Sequence, residues 1–175
     1  MDIKALQRPL RERYEADPVS APLTLTVRSA PTDLDDPLHC AVAPDSTEGI
    51  VWRSGAHPAV GGVGDVPCSA DLLLAALAAC QEVTLRMVAA NLGIELTGVE
   101  VVAEADWDPR GTLAMGREFP VGLTAIRCTT TVRVGDEVDE ERAARLLRSA
   151  ERYCVVLDTL RSGVDVRSAF AIDTA

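Results

Sequence analysis

Cysteine is the residue type in this 175-residue chain with the most distinctive chemistry, and five positions carry it: Cys40, Cys68, Cys80, Cys128 and Cys154. Their number is odd and their spacings are wide. A chain of this length buries enough surface for a core without covalent staples. In a reducing compartment such cysteines are buried thiols, metal ligands or redox-active groups rather than a disulfide framework.

Cys80 lies in the middle of an apolar stretch that has helical spacing, with Leu77, Val83 and Thr84 around it. A thiol in apolar surroundings has a raised pKa and is inert unless a cation reaches it. On the residues alone Cys80 is therefore predicted to be a small buried side chain. A reactive Cys80 needs an arginine from another element, and Arg28, on the polar face of a predicted strand, is the candidate.

The other four thiols have simpler predicted positions. Cys154 lies on the apolar stripe of a second predicted helix, Cys128 on the inward face of a strand and Cys40 on the apolar face of a short strand. Cys68 precedes the predicted N-cap Ser69, where a helix dipole lowers a thiol pKa. Along that helix Cys80 is roughly 16 Å beyond Ser69, and a disulfide needs Cα atoms within about 7 Å. Any disulfide partner of Cys80 must therefore come from another element.

A metal site built from Cys68, Cys80 and His57, with His39 as a further ligand, is a weaker alternative because the sequence has neither CxxC nor HxxxH spacing. The glycine-rich loop around Gly61, Gly62 and Gly64 lacks the Gly-Lys-Ser/Thr of a phosphate loop. The sequence predicts no metal and no cofactor.

Charge and composition exclude several classes of protein. The chain has 17 basic and 27 acidic residues and a net charge of −10, which argues against nucleic-acid and anionic-membrane binding. With 47% apolar and 25% charged residues it is expected to form one globular domain over residues 1–175. Its longest apolar run, residues 72–80, is far shorter than the roughly 20 residues of a membrane span. Since the first residues also lack a signal-peptide pattern, a cytoplasmic location is predicted.

Hydrophobic periodicity and turn residues predict an α+β fold with the strand and helix order β-β-β-α-β-β-α-β after an N-terminal helical extension, residues 1–20. The predicted helices are residues 2–16, 69–92 and 140–156, and the predicted strands are residues 23–28, 38–43, 49–53, 99–107, 126–134 and 164–172.

Three local details follow from the same patterns. Gly93 is predicted to end the central helix, and Asp139 to cap the last one, whose inward stripe would be Ala143, Leu147, Ala150 and Cys154. Residues 99–107 alternate, with Val99 and Val101 inward and the acidic residues outward. The arginines of strand 126–134 are expected to pair with that acidic face, each pair contributing a few tenths to about 1 kcal/mol.

Two segments resemble the cysteine helices of the OsmC/Ohr family, the osmotically inducible and organic-hydroperoxide-resistance proteins. They are PCSADLLLAALAACQEVTLRMVAANLGIEL, residues 67–96, and SAERYCVVLDTL, residues 149–160. The similarity in order and spacing extends from about residue 20 to 173. It implies small antiparallel sheets packed around a buried central cysteine helix and a second cysteine helix, in an intertwined homodimer with its sites at the interface.

The resemblance also implies a thiol peroxidase for organic hydroperoxides. Carried over, Cys80 is the peroxidatic residue and Cys154 the resolving one, and a dithiol, often lipoyl, reduces the disulfide between them. The arginine that stabilises the thiolate corresponds best to Arg28, with Arg53 as the alternative, and Asp71 is the candidate partner of that arginine.

This chain departs from the family pattern at two places. Ala70 stands ten residues before Cys80, where peroxidase members carry glutamate, and Asp71 is rotated by about 100° from that position. The second motif has Cys-Val-Val where Cys-Pro-Val is common. An OsmC-like protein that binds a small ligand or senses redox state, with little peroxidase turnover, is therefore the alternative hypothesis.

Overall fold

The computed structural model describes residues 2–173 and shows a mixed α+β fold, as predicted. The strands are β1 Val27–Ala30, β2 His39–Pro44, β3 Trp52–Gly55, β4 Leu96–Asp106 and β5 Ala125–Val134; the helices are α1 Ile3–Ala16, α2 Ser69–Leu92, α3 Pro109–Thr112, α4 Glu140–Tyr153 and α5 Val155–Ser162.

The strands form two small antiparallel sheets, one of order β1-β2-β3 and one of order β4-β5. In the first sheet the prediction needs two corrections. β1 begins at Val27, so Leu23 and Leu25 precede it and are exposed. Cys40, expected in the core, is also exposed, because β2 turns the opposite face inward and buries its neighbour Ala41.

The β4-β5 hairpin matches the predicted alternation, with Val99 opposite Val132 on the half-buried face. Its outer face holds the expected cross-strand ion pair. Arg127 Nη1 lies 2.6 Å from Asp106 Oδ2, and this contact lowers the pKa of Asp106.

Helix α2 begins at Ser69, the residue predicted as its cap, so the observed N-cap lies one residue earlier than predicted. Cys68 is the N-cap, and its backbone N–H donates to Asp71 Oδ2 at 2.8 Å. Gly93 ends the helix with φ 63°, the left-handed conformation that glycine adopts without strain. The buried residues of α2 lie on one stripe, Leu77, Gln81, Leu85 and Ala89, so α2 is central but buried on one side only in the single chain.

By length and composition α2 is also apolar enough to cross a membrane, which the count of its uninterrupted apolar run did not predict. Core helices of soluble proteins meet the same criterion. Here α2 packs against β4, α4 and α5, yet only 22% of its most apolar 18-residue stretch is buried.

The core joins α2 to α4 through Leu85, Ala89, Ile94, Leu146 and Ala150. Asp139 caps α4 as predicted, with its side chain accepting the N–H of Arg142 at 2.8 Å. The inward stripe, however, runs through Leu146 (1% exposed) rather than Leu147 (47% exposed). The prediction was therefore wrong at Leu147 only, since Ala150 and Cys154 of the same predicted stripe are fully buried.

Two predicted elements at the C-terminal end are also corrected. The helix predicted over residues 140–156 is two helices, because Cys154 has an extended backbone (φ −77°, ψ 103°) between α4 and α5. Residues 164–172 form no strand in the structure, and Val166 and Phe170 are 82% and 97% exposed. A strand requires a neighbour for its backbone hydrogen bonds, and this segment has none within residues 2–173.

Candidate thiol site

Cys80 lies in the middle of α2 and is partly exposed. Thr84, Met87 and Asn91 follow it at i+4, i+7 and i+11, which places all four on one face of the helix. The thiol is therefore held by a rigid element, at one end of a continuous side-chain row.

Cys154 reaches this face because α4 runs antiparallel to α2. At the far end of the pair, Arg142 Nη2 donates to the carbonyls of Leu92 and Gly93 at 3.3 and 3.2 Å. At the near end, the extended backbone between α4 and α5 turns the fully buried Cys154 toward Cys80. The two thiols lie close enough for each to shift the pKa of the other.

The first turn of α5 supplies further donors. The first N–H groups of a helix have no partner within it. The backbone N–H groups of Val155 and Val156 act to lower the pKa of Cys80, and those of Val156 and Leu157 act to lower the pKa of Cys154. The positive end of the helix dipole also favours a negative charge at this position.

These contacts set opposite pKa shifts in the two thiols. Burial acts to raise the pKa of Cys80, but the N–H of Val156, the Cys154 thiol and the Thr84 hydroxyl outweigh it, so the pKa of Cys80 is lowered. Burial and the adjacent Cys80 charge raise the pKa of Cys154. The arrangement favours a Cys80 thiolate that accepts a hydrogen bond from a protonated Cys154.

The predicted charged partners of Cys80 lie elsewhere in the single chain. Arg28 on β1 is bound to Asp45, with Nε 3.1 Å from both carboxylate oxygens and Nη2 3.0 Å from Oδ2. Asp71 accepts from the Cys68 N–H instead of an arginine. Nine helical steps, roughly 14 Å, separate Asp71 from Cys80. Residues 2–173 of one chain thus do not bring Arg28, Asp71 and Cys80 together.

The remaining candidate groups are dispersed. Cys68 is buried at the start of α2, and burial raises the pKa of Cys128. His39 lies between Asp36 and Asp65, with nitrogen–oxygen distances of 2.7 and 2.9 Å. Within residues 2–173 no three His, Cys, Asp or Glu side chains are grouped to hold a metal, so Cys68, Cys80 and His57 are not brought together.

The thiol-facing N–H groups are the part of the site that sequence reasoning missed. The segment Tyr153-Cys154-Val155 contains no glycine or proline, which are the usual marks of a helix break. Thr84 was identified as a neighbour of Cys80 by its spacing, but its hydrogen bond was not.

Comparison with known proteins bears on the same region. A family model described as OsmC-like protein matches residues 62–169, which contain both Cys80 and Cys154. No curated protein matches the chain significantly.

Several solved structures share the fold at low sequence identity. An OsmC-like protein from Mycoplasma pneumoniae is 14% identical, with a TM-score of 0.63 over 81% of this chain and 89% of that chain. A Legionella pneumophila protein described as an organic hydroperoxide resistance protein is 20% identical, with a TM-score of 0.59 over 84% of this chain and 96% of that one. A protein from Elizabethkingia anophelis, described in the same terms, is 17% identical, covers 82% and 91%, and has a TM-score of 0.58.

Proposed function

Because the chain belongs to the OsmC-like protein family, we propose that it is a cysteine-based peroxidase that reduces organic hydroperoxides in the cytoplasm, with residues 1–175 forming one domain. One observation carries the proposal. Cys80, whose pKa is lowered, lies beside Cys154, whose pKa is raised, and each thiol contributes to the shift of the other. A nucleophilic thiolate beside a protonated second thiol is the pairing that a two-cysteine peroxidase needs.

The first step oxidises Cys80. Its thiolate attacks the terminal oxygen of the hydroperoxide, the O–O bond breaks, and the leaving alkoxide takes up a proton to become an alcohol. Cys80 becomes a sulfenic acid and has lost two electrons. The partly exposed position of Cys80 on α2 gives the substrate access to the sulfur, whereas Cys154 is fully buried.

The second step captures the sulfenic acid before it is oxidised further. The Cys154 sulfur bonds to Cys80 and one water molecule leaves, which gives a Cys80–Cys154 disulfide. A dithiol reductant of lipoyl type then returns both thiols. The contact between the two side chains means that this capture needs little backbone movement.

We also propose that the protein is a homodimer. In the single chain most of the apolar α2 is left unburied, and the alternating segment 164–172 exposes Val166 and Phe170. A second copy of the chain covers the exposed apolar surface of α2. It also gives segment 164–172 a strand to pair with, since that segment and the free edge of β5 have complementary backbone hydrogen-bonding groups. In such a dimer the Arg28 side chain of one copy reaches the Cys80 thiol of the other copy. It does so only after its ion pair with Asp45 is broken.

The alternative function is a small-ligand-binding or redox-sensing protein with little turnover. It is favoured by Ala70 in place of the family's glutamate and by the pairing of Arg28 with Asp45. The two functions differ in the second cycle. A sensor is oxidised once and then remains oxidised in the presence of a lipoyl dithiol, whereas a peroxidase is reduced and consumes more peroxide.

Disulfide mapping tests the proposed function directly. The reduced protein is treated with one equivalent of an alkyl hydroperoxide, alkylated and analysed by mass spectrometry. We expect one alcohol per peroxide and a Cys80–Cys154 peptide pair, with Cys40 alkylated as a free thiol. Consumption of peroxide while Cys80 stays a free thiol contradicts the proposal, and so does the absence of any consumption.

Val155→Pro tests the role of the α5 N–H groups in activating Cys80. Proline fits the first position of a helix, and the extended backbone of Cys154 suits a residue that precedes proline, so the change removes one N–H with little strain. We expect the pKa of Cys80 to rise. The midpoint of its pH-dependent alkylation by iodoacetamide then moves to higher pH, and the rate at neutral pH falls roughly three- to tenfold.

Val155→Ala is the matched control, because it removes the 69% exposed side chain and keeps the N–H. Its alkylation profile is expected to match that of the unsubstituted protein. Coinciding midpoints for the proline and alanine variants would show that this N–H does not stabilise the thiolate.

A further inference from the structure

Helices α1, α2 and α4 enclose a groove of about 890 Å³ that begins next to the thiol site. Its floor on α2 is formed by Thr84, Met87, Val88, Asn91 and Leu92. Thr84, Met87 and Asn91 belong to the same row of side chains as the Cys80 thiol. Thr84 is also the residue whose hydroxyl acts to lower the pKa of that thiol. The groove therefore extends away from Cys80 along one helix face with a largely apolar floor.

The rim of the groove is basic in a chain whose net charge is −10. Asp2 is the one acidic residue that lines the groove. Four basic side chains line it, Lys4, Arg8, Arg11 and Arg145. Lys4 is the only lysine in the sequence. Within residues 2–173, Arg8 alone among the four has a carboxylate within 4.0 Å, that of Glu12 at the limit of 4.0 Å.

Specific contacts hold α1 against the floor. Gln7 Oε1 accepts from Asn91 Nδ2 at 3.3 Å and from Arg11 Nη2 at 3.4 Å. The first contact ties α1 to α2, and the second orients one of the rim arginines. Helix α1, which carries Lys4, Arg8 and Arg11 of this rim, lies outside residues 62–169, the part that the OsmC-like family model matches, whereas Arg145 lies inside it.

We infer that this groove binds an amphipathic anion, a carboxylate that carries an unbranched apolar chain. The rim cations hold the carboxylate and the floor holds the chain, since guanidinium groups pair with carboxylates through charge-assisted hydrogen bonds and apolar area is stabilised when it leaves water. The inference rests on the groove and not on the peroxidase chemistry proposed above.

The positions of the cations set the reach of the ligand. Arg145 on α4 precedes Cys154, the C-cap of that helix, by nine residues, which corresponds to a rise of roughly 14 Å. A carboxylate bound at Arg145 therefore sends its chain along Met87 and Val88 toward Thr84. A chain long enough to cover that distance ends beside Cys80.

Binding of decanoate, with 1-decanol as the neutral probe of equal chain length, tests the inference by calorimetry on the full chain. Decanoate is expected to bind at least about tenfold more tightly than decanol, as the loss of a charge-assisted contact predicts. Its affinity is expected to fall as salt is added, because the rim charges are partly exposed and screened. Equal affinities for the two probes, or no binding of decanoate below about 1 mM, would overturn the inference.

Variants on the same helices locate the carboxylate. Arg145→Gln combined with Arg11→Gln is expected to weaken decanoate about tenfold and to leave decanol unchanged. Arg148→Gln combined with Arg13→Gln is the control, because Arg148 lines a different cavity on α4 and Arg13 lies over the Tyr14 ring. An equal loss in both double variants contradicts the assignment. Cys80→Ser leaves decanoate binding intact, so failure of the peroxidase proposal is distinguished from failure of this one.

Discussion

Replacement of Cys80 by serine is expected to lower the rate of organic hydroperoxide reduction by at least about a thousandfold, the scale on which removal of a nucleophile acts. Serine is nearly isosteric with cysteine, but its hydroxyl does not ionise near neutral pH. The N–H groups of Val155 and Val156 then have no thiolate to stabilise. The measurement is peroxide consumption with a lipoyl dithiol present in excess.

Cys154→Ser distinguishes the proposed role of Cys154 from that of Cys80. The first turnover is expected to persist, because Cys80 keeps its α5 donors, and the sulfenic acid then accumulates and is trapped by dimedone. Later turnovers are expected to fail, because the variant cannot form the disulfide that the lipoyl dithiol reduces. Cys40→Ser, at an exposed position on β2, is the control and is expected to retain both phases. A Cys80→Ser protein with full activity, or a Cys154→Ser protein that cycles normally with the lipoyl dithiol, is incompatible with the assigned roles.

Leu146→Ala is expected to destabilise the protein by about 2–5 kcal/mol, measured as the free energy of unfolding in urea. Leu146 is 1% exposed and packs with Leu85 and Ala150 in the core between α2 and α4. The cavity that alanine leaves loosens the contact that holds Cys154 against Cys80. Disulfide formation after peroxide addition is therefore expected to slow as well.

Leu147→Ala makes the same chemical change one residue later. Leu147 is 47% exposed, so its truncation is expected to cost less than about 1 kcal/mol and to leave disulfide formation unchanged. The pair of variants also distinguishes the observed inward stripe of α4 from the one predicted by periodicity. Equal destabilisation by both changes would contradict the packing described here.

The sequence was sufficient where local chemistry decides structure. Gly93 ends α2 and Asp139 caps α4, as predicted, since a left-handed glycine and a capping carboxylate act within one turn. Strict alternation likewise predicted the faces of β4 and β5 and that arginines of β5 pair with the acidic face of β4, as Arg127 does with Asp106. These features depend on neighbours in sequence or on one adjacent strand.

Features set by distant contacts were not predicted. Whether Leu146 or Leu147 faces the core depends on how α4 is rotated against α2. Because both adjacent positions are leucine, the sequence does not show which of them points inward. Cys40 is exposed because the sheet β1-β2-β3 turns Ala41 inward, a choice that alternation alone leaves open. The segment 164–172 has the pattern of a strand, but a strand forms only beside a partner strand.

Part of the candidate site was likewise predicted from the sequence, and part of it was not. Family resemblance named Cys80 and Cys154, and the structure brings their side chains into contact. It does not supply the arginine that the resemblance led us to expect, because Arg28 is bound to Asp45. The donors present instead are backbone N–H groups of α5. They exist only because the helix is interrupted at Cys154, and no residue type in the sequence marks that interruption.

The start of α5 directly after Cys154 has a consequence for the energetics of the thiol pair. Its N–H groups stabilise a negative sulfur, and that charge disappears when the disulfide forms. The dithiol state is therefore favoured over the disulfide, which makes the reduction potential of the pair less negative. For a two-electron couple, each tenfold preference for the reduced form raises the potential by about 30 mV. The donors that make Cys80 quick to react with an oxidant thus also ease its return by a mild dithiol.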